Sequence, residues 1–221
     1  MSSRLWGLGS LVLIMTSGVA GCGGGGYQYA GYSMDDFFPF DGARSWEYVN
    51  TDVTVPYKMI ATLDSAYEEA NGQKIYSVDY SYECLNPKSK DCPDAGFVRA
   101  VRWSSDASSG VQLHSFEDIS GRTNYDPPIA LTSGRMVVGD VVETQTDGVD
   151  YTATFEVIVS ECPIQWVDTW ENCPKITLDD ADAGAPLAGE YYAIGGYNVV
   201  AMELTGDTGQ WQLLYATYAE N

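Results

Sequence analysis

A chain of 221 residues, 45% of them hydrophobic, can bury one core, and all-β domains of this length often stay undivided. Its 31 acidic residues outnumber 11 basic ones, for a formal net charge of -20. Polyanion binding needs clustered Lys and Arg, so this balance argues against nucleic acid and against electrostatic docking on an anionic membrane. The acids are spread among many aromatics, which marks a solvated acidic surface rather than a disordered tail.

In chain order, Ser2-Ser3-Arg4 supplies one positive charge, Leu5 to Met15 is an apolar run, and small residues follow at Ser17, Gly18, Ala20 and Gly21. That order predicts a secretory signal. The stretch Leu5 to Ala20 has 16 residues, short of the roughly 20 that a membrane-spanning helix needs. Val19-Ala20-Gly21-Cys22 resembles the lipobox of bacterial lipoproteins. The resemblance implies cleavage before Cys22, acylation of its thiol and new α-amino group, and a stable membrane anchor made of several acyl chains. Gly23 after the cysteine, rather than Asp, implies sorting to the outer membrane. The expected organisation is a signal peptide over 1–21, a lipidated Gly-rich tether over 22–36 and a β domain over 37–221.

The other four cysteines suit an exported chain. Cys84 and Cys92 lie close together, as do Cys162 and Cys173, and four cysteines permit three pairings. Local pairing is the simplest, each bridge being worth roughly 2.5 to 3 kcal/mol in the chain-entropy model. A four-cysteine zinc site competes, but these spacings are not zinc knuckles and an oxidising compartment favours disulfides.

Through the body of the chain the apolar period is two. Tyr76, Val78, Tyr80 and Tyr82 alternate with Ser77, Asp79, Ser81 and Glu83, the pattern of a half-buried strand. Asp147-Gly148 separates Val141 to Thr146 from Val149 to Ser160, the dipeptide that a type I′ hairpin turn demands. Further strands are expected at Arg44 to Asn50, Tyr57 to Leu63, Phe97 to Ser104, Val111 to Glu117, Val199 to Leu204 and Trp211 to Tyr218, with Asn71-Gly72 among the turns. No stretch holds a 3.6-residue period for three turns. The prediction is an all-β antiparallel meander of about nine or ten strands, curled into a barrel, half-barrel or sandwich.

Phe37-Phe38-Pro39-Phe40-Asp41-Gly42-Ala43-Arg44-Ser45-Trp46-Glu47-Tyr48 resembles the "YFPL-x-x-G-x-x-W-x-Y" opening of many uncharacterised bacterial lipoproteins. Gly189-Glu190-Tyr191-Tyr192-Ala193-Ile194-Gly195-Gly196-Tyr197-Asn198-Val199-Val200 is similar to their closing "YYxxxGxGxV" strand. The resemblance covers the two ends and implies a secreted β domain without an assigned activity. Trp46 and Tyr48 share one strand face, and Trp46 is expected to anchor the core.

Candidate sites are sparse. His114 is the only histidine, no Gly-x-Ser-x-Gly elbow accompanies it, and a partly exposed strand residue is the plain reading. Without a second histidine, a histidine-based catalytic metal centre is not expected. Carboxylate pairs such as Asp35-Asp36, Glu68-Glu69 and Asp179-Asp180 could serve a glycosidase, but with 31 acids such pairs arise by chance. Asp180 and Asp182 begin like a calcium loop, yet Pro186 follows and no helices flank it, so an exposed acidic turn is preferred to weak calcium binding. Between Cys162 and Cys173 the chain carries Trp166, Asp168, Trp170 and Glu171. Tryptophans folded inward as a lid on the β domain are preferred, since large apolar side chains usually find cover; held outward on a stapled loop, these residues would suit a glycan or protein partner at low ordering cost. No catalytic residue and no cofactor is assigned. The leading expectation is a lipid-anchored envelope protein with a non-enzymatic binding or structural role; a carrier of a lipid or other apolar ligand and an envelope polysaccharide hydrolase are the alternatives.

Overall fold

A computed structural model of the protein describes residues 31–40, 44–52, 54–86, 98–164, 171–180, 187–205 and 209–218. A short strand β1 (Tyr32–Ser33) and a 3-10 turn (Met34–Asp36) precede β2 (Arg44–Asn50), β3 (Tyr57–Ala70), β4 (Gln73–Cys84), β5 (Ala100–Asp106), β6 (Gly110–Asp118) and β7 (Gly121–Ala130). Then come β8 (Arg135–Met136), β9 (Val141–Thr146), β10 (Val149–Val159), β11 (Cys173–Asp180), β12 (Gly189–Ile194), β13 (Asn198–Leu204) and β14 (Trp211–Tyr218). β1 pairs with β8, and the other twelve strands form one antiparallel sheet in the order β7-β6-β5-β4-β3-β2-β14-β13-β12-β11-β10-β9. Every neighbour in that order is a chain neighbour except β14 and β2, the last and first strands. The meander thus curls until its ends meet, with β7 and β9 facing each other across one seam.

The seam is bridged by side chains. The Ala130 N–H donates to Thr144 Oγ1 and the Asp126 N–H to Thr146 Oγ1, each at 3.1 Å. Between them on the same edge sits Pro128, which has no N–H to satisfy. A strand with two prolines cannot offer a full ladder, and threonine hydroxyls take the donors that remain. The rings of Tyr125 and Tyr151 meet edge to face beside the seam, 6.2 Å apart.

Inward-facing residues alternate along the strands and fill the barrel. Trp46 and Tyr48 on β2 are 2% and 3% exposed, as expected of core anchors, and Phe155, Ile176 and Leu178 close the opposite wall. Outward positions carry charge: Lys58 bridges Glu47 at 2.8 Å and Glu83 at 3.2 Å, and Lys175 bridges Glu190 at 2.6 Å and Glu156 at 2.8 Å.

The curled antiparallel meander agrees with expectation, and both arms of the Asp147-Gly148 hairpin are present. Asp147 and Gly148 take φ of 52° and 81°, the left-handed pair that a type I′ turn requires. Four details differ. β7 and β11 were not expected, because Pro127-Pro128 breaks the strand signature of one and the other shows only Ile176 and Leu178 in alternation. β3 runs to Ala70 rather than Leu63, past a register shift between Leu63 and Tyr67, as a hairpin arm exposed on both faces. Along β10 the inward alternation of Tyr151, Ala153 and Phe155 breaks at a register shift between Phe155 and Val157, which leaves Val157 at 41% exposure. Finally, the fold includes residues ahead of Phe37, the expected boundary: Met34 is fully buried and its N–H donates to Gly134 O.

Candidate functional site

Strand direction sorts the connections onto two ends. At the upper end lie the β3–β4, β5–β6 and β12–β13 turns, the β7–β8–β9 connection, the β10–β11 loop and the segment 31–40. The segment is a cap. Met34, Phe38 and Phe40 point into the barrel mouth, Gly196 N–H donates to Asp36 O at 2.9 Å, and the Tyr32 and Phe155 rings meet edge to face. Phe40 stacks on Tyr76 of β4 with ring centroids 6.2 Å apart.

Below the cap a cavity of about 40 Å³ remains among Phe38, Trp46, Tyr80, Trp103, Tyr191 and Met202. That is room for a few waters, against the roughly 300 to 1,000 Å³ of ordinary ligand pockets. Beside the cap an open cleft of about 450 Å³ is lined by Asp35, Asp36, Arg44, Tyr76 and Ser105. A second, of about 600 Å³, lies between the β3–β4 tip and the β5–β6 turn, with Gln73, Lys74, Tyr76, Ser105 and Asp106 in its walls. Tyr76 and Ser105 border both. Ser105 Oγ is buried with no hydrogen-bond partner among the described residues. Burial acts against ionised Asp106, but the hydroxyls and backbone N–H groups of Ser108 and Ser109 converge on its carboxylate and hold it well below the usual range.

The segments 44–48 and 196–199, far apart in the chain, meet at this mouth. β13 pairs with β14 only at Ala201–Gln212 and Met202–Trp211, so its first half has no ladder on that side. Alternate residues of β2 reach across instead. Arg44 Nη1 donates to Gly196 O at 2.9 Å, Trp46 Nε1 to Tyr197 O at 2.7 Å and Tyr48 OH to Val199 O at 2.7 Å. Sequence reasoning found both segments and missed this bond set, since nothing local announces a contact across 151 positions.

His114 sits on β6 where both neighbouring ladders skip a residue. Its Nε2 lies 2.8 Å from Ser104 Oγ of β5, a partner invisible in the sequence because the shared face depends on register. Desolvation first, and the Arg102 charge second, hold its pKa below the ordinary value. Among the described residues no carboxylate bonds to the ring, and Ser104 is 1% exposed. The pair therefore satisfies a buried hydroxyl and leaves a nucleophile no approach.

The remaining candidates scatter. Cys162 and Cys173 are disulfide-bonded with Cα atoms 5.6 Å apart, closing the β10–β11 loop at the upper end. Glu171 is exposed there, while Trp166, Asp168 and Trp170 lie outside the described residues. Cys84 is disulfide-bonded, and its expected partner Cys92 lies outside the described residues, as does Cys22. Asp180 ends β11 opposite Tyr151 at the lower end; Asp182 is not among the described residues. Among those residues no three His, Cys, Asp or Glu side chains gather as a metal ion would need. The chain matches no protein-family model, no curated protein and no solved structure.

Proposed function

We propose that this protein is a lipid-anchored envelope protein with a non-enzymatic binding or structural role, acting through the upper end of a filled barrel. The observation that carries the reading is the filled interior. Aromatic and aliphatic side chains occupy it down to about 40 Å³, which favours recognition at the mouth over carriage of an apolar ligand inside. The mouth gathers a bonded loop, a cap and two clefts that join an aromatic ring to hydroxyl and charged groups, the mixture that suits an envelope glycan or a protein loop. The signal-like N-terminus and the lipobox-like Val19-Ala20-Gly21-Cys22 support the location in this reading: export and an acylated Cys22, with the outer membrane as destination.

The decisive variant is Cys22→Ser in the exported protein. It is expected to leave the membrane fraction while keeping its β-sheet circular dichroism and cooperative unfolding; retention of a folded Cys22→Ser protein in the membrane would sink the anchor. Native and denatured masses of the envelope-purified protein test the binding mode. Equal masses support recognition at the mouth, and a discrete excess in the native spectrum would favour a carried ligand.

A further inference from the structure

Tyr32, Val137, Val138 and Val141 are 45%, 38%, 49% and 52% exposed and come from two distant parts of the chain. Tyr32 follows Gly31 and Val137 lies against it, with Val138 in the same connection and Val141 at the start of β9. Arg135 Nη1 donates to Gly31 O at 2.9 Å, and a Cβ on Gly31 would stand 2.8 Å from Met136 O and 3.3 Å from Val137 Cγ1, so the backbone at 31 lies directly against this rim.

Two exposed valines at the tip of a connection are unusual, because such tips favour Gly, Asn, Asp and Ser. Here the tip is rigid: Val137 N–H donates to Asp140 Oδ2 at 2.8 Å, Asp140 N–H to Val137 O at 3.0 Å, and Gly139 N–H to Phe155 O at 2.8 Å. The Gly139 bond and a Phe155 N–H to Asp140 O bond of 2.9 Å continue the β9–β10 register, and exposed Val157 follows two residues on along β10. A rigid apolar tip loses little entropy when covered.

We propose that this rim, from Tyr32 through Val137, Val138 and Val141, seats the barrel on a zwitterionic lipid surface. The proposal rests on the anchor reading. Cys22 precedes Gly31 by nine residues, a reach of at most about 30 Å when extended. An acylated Cys22 therefore keeps the rim beside the bilayer at high effective concentration, where weak apolar contacts suffice. The acidic excess disfavours anionic headgroups.

The test is hydroxyl-radical footprinting of the mature acylated protein on phosphatidylcholine vesicles, against the soluble Cys22→Ser protein. Oxidation of Tyr32 and of Val137 to Val141 should fall several-fold on vesicles, while Ile119, 60% exposed at the lower end, is unchanged. The exposed pair Val138→Asp and Val141→Asp should restore Tyr32 oxidation in a protein that still sediments with the vesicles. An acylated, vesicle-bound protein whose rim oxidises as fast as in the soluble form overturns the docking and leaves the anchor standing. A mature chain without acyl mass on Cys22 removes the anchor, and the docking with it. Protection of the rim in the Cys22→Ser protein without lipid assigns the patch to a second protein surface and overturns the proposal.

Discussion

Trp46→Phe keeps an aromatic ring in the core but deletes the donor to Tyr197 O in the β12–β13 turn. The expected loss is about 1 to 3 kcal/mol. Tyr48→Phe, which removes only the hydroxyl to Val199 O, should lose about 1 kcal/mol. Urea denaturation of each variant and of the double variant checks this; additive losses would mean that the two bonds do not hold β13 as a unit. His114 supplies a pH signature. Its folded pKa lies below the ordinary 6.5, so the unfolded chain takes up a proton before the folded one does. Its contribution is therefore full above pH 6.5 and drains away as pH falls from there toward the folded value. In His114→Asn the gap in unfolding free energy from wild type should shrink between pH 7.5 and 5.5 in matched chemical denaturation series.

The barrel's weakest joint is the seam, and at the scale of elements it makes the sharpest expectation. Thr144→Val and Thr146→Val keep shape and remove the only acceptors shown for the Ala130 and Asp126 N–H groups. Each should cost about 1 to 3 kcal/mol if the orphaned donor stays buried. Hydrogen exchange in β7 and β9 should accelerate before β2–β3 or β10–β11, which are joined by backbone ladders. A uniform acceleration across the barrel would show that the seam does not open on its own. β7 was hidden for the same reason that the seam exists. Pro127-Pro128 suppresses the strand pattern and the ladder alike, so an edge closed by threonine hydroxyls carries no periodic trace.

For the whole molecule, a net charge of -20 over the chain stores like-charge repulsion that few cations offset, Lys58 and Lys175 among them between their paired glutamates. Raising ionic strength from about 10 to about 150 mM shortens the Debye length from about 30 to about 8 Å, so the melting temperature should rise. A fall would mean that the ion pairs outweigh the general repulsion. The mouth, built from the cap, the β5–β6 turn, the β12–β13 turn and a bonded loop, exists only in this closed state.

Much was legible in the chain itself. Period-two runs, left-handed Asn71-Gly72 and Asp147-Gly148 turns and close cysteine pairs each write a local constraint into neighbouring residues, and local constraints determine strand, turn and the Cys162–Cys173 bridge. Tertiary structure alone decided that β14 returns to β2, that Arg44, Trp46 and Tyr48 hold the β12–β13 turn and the start of β13, that Ser104 meets His114 and that Val137 lies against Gly31. Those outcomes depend on register and curvature. Where a single bulge moves a side chain to the other face, as at Val157, the answer is a property of the closed sheet and of no stretch within it.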